Sequence, residues 1–193
     1  MSTFQESELT FSFPDDWWIK KYDTTKFFTY LSGHGLKGVD FMMISPREEL
    51  ILVEVKNYHD RWADDKNEIA STFENDLQSL ALRIIQKFED TFRLLQIVHQ
   101  YYQRKMWYRW LLLPLHKRYP TLFSQKTDWV FWLKANELYT TKKVKLYLVL
   151  KVPQGVEDTA KVQKKMQTIF TKHLPTFPVE IILPNKNNKV ITF

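Results

Sequence analysis

The chain contains no cysteine, and only four of its 193 residues are glycine. Without thiols it can form no disulfide, no thiolate zinc site and no cysteine nucleophile. It also has no run of about 18 apolar residues, which is the length that a membrane-spanning helix requires. The first residues lack the basic and apolar pattern of a secretory signal. These absences predict a soluble, cytoplasmic protein with no membrane segment.

The composition that remains is that of a folded domain. Hydrophobic residues make up 44% of the chain and aromatic residues 16%, which argues against disorder. The length suits one domain, and no repeat, low-complexity tract or linker divides it. We therefore expect a single domain over residues 1–193.

The charge is unevenly distributed. Residues 1–60 hold 6 basic and 10 acidic side chains, whereas residues 61–193 hold 22 and 12. Within the basic part, residues 101–151 hold 11 basic and 2 acidic side chains. Such a division can reflect a metal site beside a surface that binds a polyanion. A solvated basic face explains the same numbers.

The hydrophobic pattern of the first half predicts a hairpin followed by a long helix. Two short apolar runs at 38–44 and 50–56, separated by a turn-like segment, predict a β-hairpin. Both runs are apolar on both faces, which indicates a sheet that is covered on both sides. After a polar loop, apolar residues in steps of three and four predict a helix from about 67 to 104.

The remaining segments complete an α/β pattern with a mixed central sheet flanked by helices. Near the N-terminus we expect an edge strand at 10–14 and partial helix over 15–31, in which Asp23 is a candidate cap. Further along, we expect a helical piece that ends at Pro114, irregular chain over 115–143 with a strand at 129–133, strands at 143–152 and 179–183, and a helix at 157–173.

The hairpin carries charges that an apolar strand does not normally hold. Asp40 interrupts the first run, and Glu54 and Lys56 interrupt the second. If Ile44 pairs with Leu50, opposed residues have numbers that add up to 94, so Asp40 faces Glu54 on the same side of the sheet. Lys56 points the same way, because side chains alternate along a strand.

Two carboxylates this close repel each other, and a divalent cation would relieve the repulsion. Oxygen ligands select Mg²⁺ or Mn²⁺. Lys56 would then lie where it can orient a water molecule or stabilise charge on a phosphate. A cross-strand ion pair without any metal is the alternative explanation for these three residues.

The segment GVD (38–40), a short hairpin and EVK (54–56) together resemble the PD-(D/E)XK nuclease superfamily. The resemblance covers roughly residues 20–105, and it implies a restriction-endonuclease-like core that the strand at 143–152 would continue. It implies that Asp40 and Glu54 bind the metal and that Lys56 is the catalytic lysine. Val39 replaces the proline of the family pattern.

The resemblance also implies two more metal ligands and a mode of assembly. The first of these ligands is the backbone carbonyl of Val55. Many members add an acidic residue from the first helix; Glu8, Asp16 and Asp23 compete for this role, and we prefer Asp23. Restriction-type enzymes often work as dimers, so a homodimer is one expected assembly.

Basic residues beyond position 100 are candidates for contact with nucleic acid. The segment YYQRKMWYRW (101–110) mixes aromatic rings with Arg104, Lys105 and Arg109, a combination that can contact phosphates and stack on bases. Lys142 and Lys143 precede a predicted strand and are further candidates. A helix end with buried aromatics and solvated basic residues explains the same letters. His34 and His59, on either side of the hairpin, are candidate phosphate contacts or plain loop residues.

The sequence therefore predicts a Mg²⁺-dependent nuclease that hydrolyses phosphodiester bonds of DNA. A module on the same fold that binds nucleic acid or protein without catalysis is the alternative.

Overall fold

A five-stranded sheet lies at the centre of the computed structural model, which describes residues 1–58, 66–119, 127–153, 156, 158–184 and 190–193. The strands in chain order are β1 (Ser2–Glu6), β2 (Leu9–Phe13), β3 (Trp18–Lys21), β4 (Phe41–Ile44), β5 (Leu50–Asn57), β6 (Val144–Lys151), β7 (Val179–Ile182) and β8 (Val190–Thr192). The helices are α1 (Lys26–Ser32), α2 (Lys66–Gln103), α3 (Leu113–Arg118), α4 (Asp128–Thr140) and α5 (Thr159–His173).

The central sheet is mixed and follows the chain, in the order β3-β4-β5-β6-β7. The first three strands are antiparallel, and β5, β6 and β7 are parallel. Parallel neighbours need a long crossover, which α2 to α4 supply between β5 and β6, and α5 between β6 and β7. The α/β class with a mixed central sheet is therefore confirmed.

Both faces of the central sheet are covered, as the two apolar runs predict, but helices cover one face and a second sheet covers the other, where flanking helices were expected. On one face, Met42, Leu52 and Leu148 pack into a core with residues of α2, α4 and α5. On the other face, Phe41 and Val53 pack against a second sheet of order β1-β2-β8. Rings from β2 fill that second core, where Phe11 lies 5.3 Å from Phe41 between ring centroids.

The predicted register of the hairpin is confirmed. Phe41 pairs with Val53 and Ile44 with Leu50, so opposed numbers add up to 94 throughout the β4–β5 ladder. The long helix is also confirmed, at 66–103. The stripe positions whose side chains the structure describes are all buried: Phe73, Leu77, Leu80, Ile84, Phe88, Phe92, Leu95, Val98 and Tyr102.

The predictions near the N-terminus are confirmed only in part. The strand predicted at 10–14 is β2, but it lies in the middle of its sheet rather than at an edge. The partial helix expected over 15–31 is confirmed at its end, where α1 forms, whereas Trp18–Lys21 forms β3. Asp23 lies in a 3₁₀ turn, and the cap of α1 is Thr25, whose hydroxyl accepts a hydrogen bond from the Phe28 N–H.

The strand predicted at 129–133 is also wrong, because this segment belongs to α4. Its run of aromatic and β-branched residues is typical of a strand, but the helix is buried around most of its circumference. The helical piece predicted to end at Pro114 instead continues into α3, where Pro114 lies in the first turn. Proline fits there because the first N–H groups of a helix have no partner within it.

Candidate active site

The hairpin brings Asp40 and Glu54 to one end of the central sheet. Asp40 directly precedes β4, and its Oδ2 accepts a hydrogen bond of 2.7 Å from the Val55 N–H. This bond fixes the carboxylate across the gap where the β4–β5 ladder stops. The N–H and C=O groups of an extended residue point to the same side of the strand, so the Val55 carbonyl is directed towards Asp40 as well.

Glu54 is fully buried and carries a double ion pair. Its Oε1 lies 2.8 Å from the Lys56 Nζ and 2.7 Å from the Lys87 Nζ. Its Oε2 is buried and has no hydrogen-bond partner among the residues that the structure describes. A buried carboxylate is stable only when its charge is compensated, and the two ammonium groups provide that compensation on one oxygen only.

Lys87, on α2, is the member of the cluster that the sequence analysis missed. Its Nζ also lies 3.9 Å from Asp40 Oδ1, so the ammonium bridges the two carboxylates. The side chain is only 22% exposed. The missed signal is a set of polar residues in phase with the buried stripe of α2: Lys87, Asp90 and Thr91.

The other two polar residues of this set hold the chain that leads into Asp40. Thr91 Oγ1 accepts a hydrogen bond from the Val39 N–H at 3.1 Å, and Asp90 Oδ2 accepts one from the Lys37 N–H at 3.2 Å. Both acceptors are buried. Helix α2 therefore positions Asp40 through the backbone and contacts it directly through Lys87.

Gly38 lies within this held segment and cannot carry a side chain. A Cβ atom at this position would lie 2.1 to 2.6 Å from atoms of the Tyr22 ring, which is itself buried. The structure uses the missing Cβ for close packing against Tyr22.

The charges and the burial of the cluster bring the pKa of Asp40 close to neutral pH. Burial raises its pKa, and the negative charge of Glu54 raises it further; Lys87, the Val55 N–H and Lys56 act in the opposite direction. The resulting pKa is about 7. For Lys56, burial alone would lower the pKa, but the attraction of Glu54 and Asp40 outweighs burial and raises it.

A cleft of about 370 Å³ opens beside Asp40 and Lys87. Asp23 also lines this cleft, with its side chain 50% exposed and 3.4 Å from the Lys21 Nζ. Glu6, which the sequence analysis did not consider, lines it too and lies 2.8 Å from the same ammonium. The cleft therefore has an acidic rim on which Lys21 joins two carboxylates.

The other residues expected near the site lie elsewhere. Glu8 and Asp16 are exposed in turns and do not line the cleft. His34 packs against Tyr30, with 5.3 Å between ring centroids, and does not line the cleft either. His59 lies outside the described residues. Within the described ranges, no three acidic or histidine side chains converge in a way that would hold a metal ion.

The cluster nevertheless offers oxygen atoms that fit a divalent cation. Glu54 Oε2 is an orphaned buried acceptor among the described residues, and Asp40 Oδ1 lies 3.9 Å from the Lys87 ammonium. Both are hard oxygen donors, the kind that Mg²⁺ and Mn²⁺ prefer. With the Val55 carbonyl they form a partial ligand set, to which Mg²⁺ would add water or substrate oxygens.

The basic residues proposed for nucleic acid fall into two groups. Arg104 and Arg109 line a groove at the C-terminal end of α2, and the Lys105 Nζ lies 4.9 Å from the Tyr101 ring centroid beside it. Lys142 and Lys143 lie at the other end of β5, where the Lys143 carbonyl accepts from the Leu50 N–H. At about 3.3 Å per residue, that is about 13 Å along the strand from Glu54.

Comparison of the chain with protein-family models, with curated proteins and with solved structures finds no match in any of the three. Among the described residues, no helix combines the length and the apolar character that crossing a bilayer requires. The assignment of a function therefore depends on the chemistry of the cluster itself.

Proposed function

We propose that this chain is a metal-dependent nuclease with a restriction-endonuclease-like core, which hydrolyses phosphodiester bonds of DNA. The observation that carries the proposal is the pair of carboxylates, Asp40 and Glu54, at the end of two adjacent strands with Lys56 on the same face. An open cleft reaches Asp40 from outside. A structural ion pair requires no such access.

In this proposal the side chains of Asp40 and Glu54 and the carbonyl of Val55 would hold Mg²⁺ or Mn²⁺. A divalent cation bound there would offset the negative charge that develops on the scissile phosphate. The pKa of Asp40 is about 7 without a cation, and a cation bound beside it would favour the ionised carboxylate. The hydrogen bond from the Val55 N–H keeps the carboxylate oriented in either protonation state.

The two lysines have different tasks. Lys56 is held at 2.8 Å by Glu54 and is partly exposed, so its ammonium can orient a water molecule and donate to a phosphate oxygen. Lys87 bridges the carboxylates and must shift when a cation binds between them. Asp23, on the rim of the cleft, is the acidic residue that the resemblance adds to the ligands.

The proposal includes a cytoplasmic location, which the absence of cysteine fits, and a homodimer, which the resemblance implies. Sedimentation velocity tests the homodimer.

A non-catalytic binding module on the same fold is the second candidate, and one observation favours it. Glu54 has no exposed surface, and Lys56 and Lys87 already balance the two carboxylates. In that case the cluster stabilises the sheet, and the protein binds nucleic acid or a protein through another surface.

A cleavage assay separates the two candidates. Plasmid and short DNA substrates are incubated with the protein and Mg²⁺, Mn²⁺ or a chelator. We expect cleavage with either metal, and a loss of at least about 100-fold in Asp40→Asn and Lys56→Gln, because each removes a charge at the reacting centre. The matched controls are the exposed Glu89→Gln on α2 and the exposed Lys172→Gln on α5.

Controls with wild-type activity show that charge at the site, rather than total charge, is responsible. Cleavage that is equal in wild type and in both site variants would contradict the proposal, and so would no cleavage of any DNA substrate with either metal. DNA binding without cleavage would favour the second candidate.

A further inference from the structure

A surface at the C-terminal end of α2 is distinct from the cleft. Helix α2 ends at Gln103, and a π-helical turn, Tyr108–Leu112, follows after four residues. Arg104 is 17 residues beyond Lys87, which corresponds to about 25 Å along a helix axis. The two regions therefore cannot share one small ligand.

The aromatic side chains of this region form two groups: buried rings that anchor the segment to the core, and rings that are exposed to solvent. Tyr102 and Tyr108 are buried and contact each other, with 5.5 Å between ring centroids. Trp107 and Trp110 are 50% and 72% exposed. The alternative explanation of this segment, buried aromatics with solvated basic residues, thus describes only Tyr102 and Tyr108. Large exposed rings next to buried anchors indicate a binding surface.

A groove of about 350 Å³ lies beside the Trp110 ring. The Arg109 guanidinium lies 5.7 Å from the centroid of this ring. The groove thus combines an aromatic face, two guanidinium groups, two side-chain amides and a flexible thioether. Its lining residues are Gln100, Gln103, Arg104, Met106, Arg109 and Trp110.

The segment of the chain that forms the groove carries charge of one sign. Residues 91–119 contain six basic and no acidic side chains. Asp128, which accepts a hydrogen bond from the buried Tyr102, is already paired with Lys20 at 2.7 Å and Lys26 at 3.2 Å. The groove therefore suits a polyanion.

We infer that this groove binds single-stranded nucleic acid, with one base stacked on Trp110 and the flanking phosphates held by Arg104 and Arg109. Stacking on an exposed ring requires a base with a free face, which a duplex does not offer. The amides of Gln100 and Gln103 suit the edge of that base.

A membrane surface fits the groove less well than a single strand does. Side chains that insert into lipid form a protruding apolar face, whereas here amides and guanidinium groups line a concavity next to the ring. The link between binding here and cleavage at Asp40 rests on the proposed function, but the binding itself stands on the groove alone.

Fluorescence anisotropy with labelled oligodeoxythymidine of about 12 nucleotides tests the inference. The protein carries Asp40→Asn, and a chelator is present, so cleavage plays no part. We expect the single strand to bind more tightly than a duplex of equal length. Trp110→Ala should weaken binding about 5- to 150-fold, and Arg109→Gln should reduce the dependence on salt by about one phosphate contact.

Two conservative variants separate stacking from apolar contact. Trp110→Phe keeps a ring and should retain most of the affinity, whereas Trp110→Leu keeps only apolar surface and should bind like Trp110→Ala. Lys172→Gln, on the exposed face of α5, is the charge-matched control for Arg109→Gln and should bind like the parent. Because Trp110 is mostly exposed, these variants should unfold at the same temperature as the parent.

Three results would overturn the inference: equal affinity of Trp110→Ala and the parent, tighter binding of the duplex, or binding only to vesicles that contain phosphatidylserine. Each of these can occur while the wild-type protein still cleaves DNA. Conversely, single-strand binding that depends on Trp110 can occur without any cleavage, so failure of this inference and failure of the proposed function are distinguishable.

Discussion

Replacing Asp40 with asparagine should stabilise the protein, and the gain should depend on pH. The pKa of this carboxyl is about 7 in the folded protein, against 3.8 for an ordinary aspartate. A raised pKa means that the folded state binds the proton more tightly than the unfolded state does. The stabilising contribution of the proton is complete below about pH 4 and is lost as the pH rises through 7.

The magnitude follows from this difference in pKa. At 1.36 kcal/mol for each pH unit, ionised Asp40 costs the folded state at most about 4 kcal/mol above pH 7. Asparagine has nearly the same shape and carries no charge, and its Oδ1 can still accept from the Val55 N–H. Its amide then faces the Lys87 ammonium, which was 3.9 Å from the replaced oxygen, so the gain is smaller than this limit.

Urea unfolding of wild type and Asp40→Asn at about pH 5 and about pH 8 measures the effect. We expect the gain at pH 8 to exceed the gain at pH 5 by up to about 3 kcal/mol, since the wild-type carboxyl ionises between these values. Asp76→Asn, at an exposed site on α2, is the matched control and should show no such difference. A gain that is the same at both pH values, or a loss at pH 8, would refute the reasoning.

Three further substitutions test the packing around the site, each by urea unfolding. Gly38→Ala should lower the free energy of unfolding by about 1–3 kcal/mol, because the added Cβ overlaps the Tyr22 ring. Gly33→Ala is the control and should lower it less, since its Cβ meets a carbonyl oxygen at 3.6 Å. Equal losses in the two variants would contradict the close packing at Gly38. Thr25→Ala should lower the free energy of unfolding by about 1 kcal/mol, because it removes the cap of α1. A larger loss in Asp23→Ala would mean that Asp23, rather than Thr25, is the cap. Lys87→Gln should destabilise the protein above pH 7 by about 1–3 kcal/mol, because Glu54 then pairs with Lys56 and the ionised Asp40 loses the ammonium that bridges it to Glu54. Unchanged stability would mean that the bridge contributes nothing.

The hairpin and its charges could be predicted because local rules determine them. The turn between Ile44 and Leu50 sets the register, and the alternation of side chains then puts Asp40, Glu54 and Lys56 on one face. The long helix follows from its apolar period in the same way. These elements need no knowledge of the rest of the chain.

The elements that the sequence analysis predicted wrongly or missed depend on tertiary packing. Helix α4 is buried on most sides, so its first residues, Trp129 to Leu133, lack the polar face that marks a helix. Lys87 is a polar residue on the buried side of α2, and its reason for lying there, the carboxylates of the hairpin, is distant in sequence. The second sheet joins β8 to β2 across almost the whole chain.

The division of charge along the sequence corresponds only in part to a division in space. Asp40, Asp23 and Glu6, all from the acidic first third, line one cleft, and Glu54 is joined to Asp40 through Lys87. Of the basic residues, Arg104 and Arg109 form a separate groove, while Lys142 and Lys143 lie at the opposite end of β5. Moreover Lys87, which completes the carboxylate cluster, comes from the basic part of the chain.

The central claim is that Asp40 and Glu54 form a cation site, and crystals soaked in Mn²⁺ test it most directly. We predict an anomalous scattering peak between Asp40 Oδ1 and Glu54 Oε2, with the Lys87 ammonium moved away from Glu54. No peak at this position, with Lys87 still in contact with Glu54 in soaked crystals, would contradict the claim and leave the cluster as a structural ion pair.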